Sequence, residues 1–138
     1  MYALSDEATD KVLNIADAML SNEWASTYHA GGTDGDITLS KSTLTKTQCV
    51  AATQAALHCG ARHTSLIDSA KIVAEAVGIN KNAIRVGLAV LTYLWREHGL
   101  IEYNERPFLS TKDKGDKPIV KVAKTLRLME NGSEILED

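Results

Sequence analysis

The segment best suited to bind another molecule is a basic stretch in the second half of the chain. Residues 81–127 contain ten Lys or Arg and five Asp or Glu residues, which gives a net charge of +5. Residues 1–40 have a net charge of −6, residues 41–80 of +2, and residues 128–138 of −4. Although the whole chain has a net charge of −3, a phosphate backbone would meet only the local positive field. The alternative is a set of solvated surface lysines.

Two other groups of side chains are of types that bind metal ions. Cys59 and His63 are four residues apart, but Gly60 should interrupt a helix between them, and a zinc site needs four ligands or three and a water. Asp34 and Asp36 stand among glycines, but a calcium loop needs further oxygen ligands and a distal Glu. We therefore expect no metal ion at either place.

Sequence patterns that support catalysis are absent. The chain contains no GxSxG, HExxH, P-loop or Rossmann glycine pattern. No constellation of carboxylates or nucleophiles stands out either. We therefore expect a protein that is not an enzyme and that has no catalytic residues and no cofactor.

The two cysteines, Cys49 and Cys59, are predicted to be free thiols. Ten residues along one helix separate them by about 15 Å, whereas a disulfide needs Cα atoms within roughly 7 Å. Free thiols are typical of a reducing compartment. The first ten residues lack the basic and apolar regions of a signal peptide, and no apolar run approaches the roughly 20 residues of a membrane span. We therefore expect a cytoplasmic location and no membrane partner.

The elements that must position the basic segment begin with four helices. Apolar residues at helical spacing predict helices over about 7–23, from 45 or 47 to 58 or 59, from 64 or 68 to 77, and over 81–98. Gly60, Gly78 and Gly99 are expected to end the last three helices. A protonated His98 would be favoured at the end of the fourth helix. Residues 24–44 are predicted to be a connector, in which the stretch GGTDGD at 31–36 should turn or stay mobile.

After Gly99 the pattern becomes β-prone. Residues 100–103 and 119–122 flank a polar stretch, which predicts a β-hairpin. Residues 126–128 continue the alternation, and residues 133–136 are predicted to form a last helical turn. The chain is thus predicted to be α+β and mainly helical, with an N-terminal helix at 1–23, a Gly/Asp-containing connector at 24–44 and a domain at 45–138.

The order of these elements over residues 45–136 resembles the winged helix-turn-helix superfamily, in the broad style of bacterial multiple-antibiotic-resistance-type regulators. Ala74 stands four residues before Gly78, which is typical of the tight turn between the two helices. Apolar residues follow at the superfamily's spacings, namely Ile79, Ile84, Leu88 and Leu91. Gly-Leu-Ile at 99–101 resembles the start of the wing, and the run 126–132 resembles its last strand. The resemblance implies a winged helix-turn-helix with a C-terminal β-hairpin wing and an extra N-terminal helix.

The resemblance further implies that the partner is double-stranded DNA and that the protein regulates transcription. By this resemblance, the start of the helix 80–98 would contact the major groove, and the wing 104–121 would contact the phosphates or the minor groove. Arg reads guanine and Asn reads adenine, whereas lysines neutralise phosphates. The implied DNA-binding residues are Asn80, Lys81, Asn82, Arg85, Arg106, Lys112, Lys114 and Lys117. The alternative is that they cap a helix and keep an exposed turn soluble.

The helix 80–98 departs from the superfamily because it is unusually apolar. Val86 and Ala89 stand where related proteins often have Arg, Lys, Ser or Gln. A helix that is apolar on all sides is buried on all sides, so the N-terminal helix or a second copy of the protein should cover it. This favours a second hypothesis, a winged-helix protein-interaction module without sequence-specific DNA binding. Such a module would bind a polymerase, a replication factor or another assembly partner at Val86, Ala89 and Val90.

The N-terminal helix also has an apolar stripe that must be buried. It consists of Val12, Ile15, Met19 and Leu20. A two-fold protein suits a palindromic DNA site, so we expect the stripe to be a homodimer contact. The alternative is that the stripe completes the core of its own chain.

Overall fold

The computed structural model describes residues 3–21, 25–28, 37–40, 44–80, 83–103, 119–123, 126–130 and 132–136. The helices are α1 (Asp6–Ser21), α2 (Lys46–Ala61), α3 (Leu66–Val77) and α4 (Ala83–His98). The strands are β1 (Ala3–Leu4), β2 (Ala25–Tyr28), β3 (Ile37–Ser40), β4 (Ile101–Tyr103), β5 (Val120–Val122), β6 (Arg127–Glu130) and β7 (Ser133–Leu136). The predicted α+β class, mainly helical, is confirmed. Within these residues, no helix combines the length and apolar character needed to cross a membrane.

The helices pack in sequence order, with α1 on α2, α2 on α3 and α3 on α4. Large apolar side chains from all four helices and from the strands form one core, including Ile15, Leu57, Leu66, Leu91, Leu94, Ile101 and Leu128. The approach of α3 to α4 is close enough to require a glycine. A Cβ at Gly87 would lie 1.9 Å from the carbonyl oxygen of Ala70. The two backbones are therefore in direct contact.

The turn between α3 and α4 is fixed by a glycine and by a glutamine from α2. Gly78 has a φ of 77° and its N–H bonds to the carbonyls of the last turn of α3, as predicted for the helix end. Thr45 and Gln48 form a capping box at the start of α2, with N–H to side-chain distances of 3.2 and 2.9 Å. The Nε2 of Gln48 also donates to the carbonyl oxygen of Val77 at 2.9 Å. One side chain thus joins the start of α2 to the end of α3.

Two helix boundaries differ from the prediction. Gly60 does not end α2, and the helix continues one residue beyond it. A Cβ at Gly60 would lie 2.6 Å from Cγ2 of Val122 and 2.9 Å from its backbone nitrogen, so this glycine allows β5 to approach rather than making a left-handed turn. The cap of α3 is Ser65, whose Oγ accepts the N–H of Asp68 at 3.3 Å.

The two ends of the described chain meet in one antiparallel sheet of order β1-β6-β7. Leu4 pairs with Leu128, and the hydroxyl of Ser5 donates to the carbonyl oxygen of Arg127 at 2.7 Å. Residues 133–136 are a strand paired with β6, so the predicted helical turn there is wrong. The sequence at 131–132 is Asn-Gly, the strongest short hairpin signal, and Gly132 has a φ of 82°.

A second antiparallel strip lies beside α2 and α4. Ile101 of β4 pairs with Val122 of β5, which confirms the predicted pairing of 100–103 with 119–122. On the other side of β5, Ser65 forms an isolated antiparallel bridge with Ile119. The order across the strip is therefore the segment before α3, then β5, then β4. Residues 104–118, which connect β4 to β5, lie outside the described residues.

The apolar stripe of α1 is buried within its own chain. Val12, Ile15 and Met19 are buried in the core, and Leu20 packs partly buried against it. A homodimer contact through this stripe is therefore wrong, because the side chains already complete the core on α2. The N-cap of α1 is Ser5, whose Oγ accepts the N–H of Ala8 at 3.1 Å.

Candidate nucleic-acid interface

The start of α4 is the described part of the predicted DNA surface. Asn80 is exposed just after the Gly78 turn, and Arg85 is partly exposed in the first turn of α4. Ile84, one of the apolar residues that match the superfamily's spacing, is 36% exposed beside Arg85. The remaining predicted contact residues lie outside the described residues, namely Lys81, Asn82, Arg106, Lys112, Lys114 and Lys117. The described surface therefore combines the glycine turn, a polar side chain and one cation.

The middle of α4 is packed on two opposite sides. Gly87 faces α3, as its close approach to Ala70 shows. Successive helical residues are about 100° apart, so Ala89 lies about 200° and Arg85 about 160° around the helix from Gly87. Both residues are thus on the side away from α3. Ala89 is nevertheless fully buried, so something else covers that side.

The cover is a β-hairpin within the segment 24–44 that was predicted to be a connector, and the stretch GGTDGD at 31–36 lies outside the described residues. β2 and β3 pair antiparallel in four positions, from Ala25 with Ser40 to Tyr28 with Ile37. Both strands lie against α4. Residues 24–44 therefore include regular structure, and they supply the cover that was expected from the N-terminal helix or a second copy.

This cover removes the predicted protein-binding patch from the surface. Val86, Ala89 and Val90 are 5%, 0% and 1% exposed. All residues from Val86 to Leu94 are buried. A protein-interaction surface at these three residues is therefore wrong for this conformation of the chain, because the chain's own strands and helices already contact them.

The C-terminal end of α4 holds a buried polar pair. The Nε2 of His98 lies 2.8 Å from the hydroxyl oxygen of Tyr93, and the two rings meet edge to face at 5.1 Å. Burial, together with the nearby charge of Lys11, lowers the pKa of His98 below its usual 6.5. Burial, together with the charge of Glu97, raises the pKa of Tyr93 to about 12. His98 is therefore neutral at pH 7, which corrects the prediction of a protonated side chain.

The cysteines are free and buried, which confirms the predicted free thiols. Burial raises the pKa of Cys49, and also that of Cys59, where Ser69 and a nearby arginine oppose the shift in part. Protonated thiols are poor nucleophiles and poor metal ligands. His63 is exposed beyond the end of α2, whereas Cys59 is buried. No group of three His, Cys, Asp or Glu side chains within the described ranges is arranged to hold a metal ion.

The covering hairpin is the feature that the sequence prediction missed. The signal was present as two four-residue segments, ASTY at 25–28 and ITLS at 37–40, which contain β-branched and aromatic residues. The Gly and Asp residues between these segments instead favoured the prediction of a connector. A pair of short β-prone segments around a glycine-rich stretch also fits a hairpin.

Comparison of this chain with family models, with curated proteins and with solved structures gives no match.

Proposed function

We propose that this chain is a winged helix-turn-helix protein that binds duplex DNA and regulates transcription. The main support is the arrangement of elements around α4. α3, the glycine turn at Gly78 and α4 follow one another in the order of a helix-turn-helix, and the paired strands β4 and β5 follow α4 where the arms of a wing would stand. The bridge of Ser65 with Ile119 adds a third strand position beside β5. In helix-turn-helix proteins the helix after the turn approaches the major groove with its first residues.

The charge distribution supports the same surface. The segment 81–127, with net charge +5, begins at the start of α4 and includes the connection between β4 and β5. The acidic N-terminal and C-terminal segments are joined to each other, because β1 pairs with β6. The cations in the basic segment would neutralise phosphates and so supply most of the binding free energy.

The covered side of α4 determines how this form would bind. The first turn of α4, with Ile84 and Arg85, is at the surface, and so is its last turn with Arg96, whereas Val86 to Leu94 between them are buried. Phosphate contacts position a protein on DNA without reading its sequence. We therefore expect the covered form to bind duplexes with weak sequence preference and strong dependence on salt.

The test is a mobility-shift titration of a mixed-sequence duplex over a series of salt concentrations. Each phosphate contact contributes about 0.9 to the slope of log K against log salt. Replacing Lys81 and Arg85 with Ala should make the slope shallower by about 2 and weaken binding at every salt concentration. The matched control replaces Lys11 and Arg96 with Ala. Both are exposed. Arg96 is in the last turn of α4, a helix of 16 residues that is about 24 Å long, and Lys11 is on α1, where its charge acts on His98 at that same end of α4.

The control should keep the slope of the unchanged protein, because its charges are remote from the start of α4. The proposal fails if the unchanged protein shows no salt-dependent binding to any duplex at low ionic strength. The assignment of duplex binding to the start of α4 fails if the control loses as much affinity as the Lys81 and Arg85 variant.

A further inference from the structure

The β2–β3 hairpin covers the side of α4 that a DNA groove would have to receive. Gly87 marks the side against α3, and Arg85 and Ala89 lie on the opposite side. That opposite side is the one that would face outwards in a helix-turn-helix. The hairpin strands lie against α4, and Ala89 is fully buried.

A covered α4 is too thick for a major groove. The groove is about 12 Å wide, and an α-helix with its side chains is about 10–12 Å in diameter. A β-layer packed on a neighbouring layer adds roughly 10 Å. The helix can therefore lie along the groove only without the hairpin, whereas its first turn can touch DNA with the hairpin in place.

The hairpin is built as a separate unit. β2 and β3 have four residues each and pair only with one another among the described strands. A two-stranded hairpin alone in water is marginally stable at best, so its contact with α4 holds it in place. α4 has independent anchors, namely the contact of Gly87 with Ala70 of α3 and the packing of β4. The hairpin can therefore leave while α4 stays in the fold.

We propose that docking of the β2–β3 hairpin on α4 and insertion of α4 into a duplex major groove are mutually exclusive, so that the hairpin is an autoinhibitory cover. This inference depends on the proposed duplex binding. The covered form contacts duplex only through the first turn of α4, whereas the uncovered form also inserts α4 and therefore binds duplex more tightly. The apparent affinity of this tighter, inserted mode is its intrinsic affinity reduced by the fraction of molecules whose α4 is uncovered. A duplex that inserts α4 also shifts the population towards the undocked hairpin.

The first test uses the full chain without substitutions. Hydrogen–deuterium exchange of the β2 and β3 amides is measured with and without saturating mixed-sequence duplex at low salt. We expect duplex to speed exchange in both strands at least threefold, while exchange in α3 stays equal or slows. Unchanged or slower exchange in β2 and β3 with duplex bound would overturn the inference.

The second test uses Ala89→Leu, which adds apolar volume beneath the hairpin and away from α3. It should speed exchange in β2 and β3 and tighten duplex binding at least fivefold. The matched control is Ala18→Leu on α1, which makes the same change at a partly exposed position and should leave both quantities unchanged. Faster exchange without tighter binding would show that the cover does not inhibit.

The outcomes separate the two proposals. If neither the unchanged chain nor Ala89→Leu binds duplex at low salt, duplex binding itself is wrong. If the unchanged chain binds while its hairpin exchange stays the same, duplex binding stands and the autoinhibitory cover is wrong. If Ala89→Leu does not fold, the exchange measurement on the unchanged chain decides.

Discussion

Gly87→Ala should destabilise the protein, although alanine is the better helix former. The added Cβ would lie 1.9 Å from the carbonyl oxygen of Ala70 and 2.5 and 2.6 Å from its carbonyl carbon and Cα. Real Cβ atoms essentially never come within 3.0 Å of such atoms. α3 and α4 must therefore separate locally by about 1.1 Å, and no side-chain rotation can relieve the contact because the obstacle is backbone.

The size of the effect follows from two opposing contributions. Alanine in place of glycine in a helix interior stabilises by about 1 kcal/mol. Overpacking a core costs about 1–3 kcal/mol, occasionally more, and a backbone obstacle between two buried helices belongs at the upper end. We expect a net loss of about 2 kcal/mol from a free energy of unfolding of about 5–15 kcal/mol. For a chain of 138 residues, the melting temperature should fall by roughly 6–8 °C.

Urea unfolding followed by circular dichroism at 222 nm measures this change. A double variant, Gly87→Ala with Ala70→Gly, tests the cause, because it removes the side chain of Ala70 and keeps the backbone atoms that obstruct the new Cβ. The double variant should be no more stable than Gly87→Ala. A Gly87→Ala protein as stable as the unchanged chain would refute the direct backbone contact, and rescue by Ala70→Gly would place the clash in the side chain instead.

Three further predictions concern the turn, the polar pair and the thiols. Gln48→Ala should cost about 2 kcal/mol in urea unfolding, because it removes two hydrogen bonds of about 1 kcal/mol each, one accepted from the N–H of Thr45 and one donated to the last carbonyl of α3. Thr45→Ala, which loses only the hydroxyl cap of about 1 kcal/mol, should cost about half as much, and equal losses would show that the bond to α3 contributes nothing. The pKa of His98 is lowered by burial and by a nearby lysine, so the unfolded chain takes up the proton first as the pH falls. The contribution of His98 to the free energy of unfolding should be complete above pH 6.5 and decline as the pH falls through the lower folded value. A His98→Gln chain with the same decline would contradict this. Cys49 and Cys59 should react with a thiol reagent at least a hundredfold more slowly in the folded protein than in urea, because both thiols are buried and burial raises their pKa. Rapid reaction of the native protein would contradict their burial.

The parts of the fold that were predictable from sequence are those fixed by local signals. The left-handed Gly78, the run of apolar residues in α3 and α4, and the β-prone segments around residue 101 and residue 121 each act over a few neighbouring residues. The partner of the α1 stripe was not predictable in this way. Periodicity shows that Val12 and Ile15 must be buried, but it does not distinguish the chain's own α2 from a second copy.

Prediction of the candidate site is limited in the same way, because a sequence pattern shows that a surface is buried but not which part of the chain covers it. The apolar residues all around α4 correctly indicated burial on every side. The identity of the cover depends on contacts between β2–β3 and α4, which are distant in sequence. Gly60 is a similar case, since a glycine can mark a helix end or a close approach, and only the position of Val122 distinguishes the two.

The pairing of β1 with β6 has a consequence for the order of folding during synthesis. The hydrogen bond from Ser5 to the carbonyl of Arg127 joins residues 122 positions apart, so it has a large loop-closure cost. α2, α3 and α4 contact their sequence neighbours and can assemble while the chain is still growing, since local contacts form fast. Among the described strands β1 pairs only with β6, which leaves the ribosome late, and this pairing should therefore be among the last events of folding.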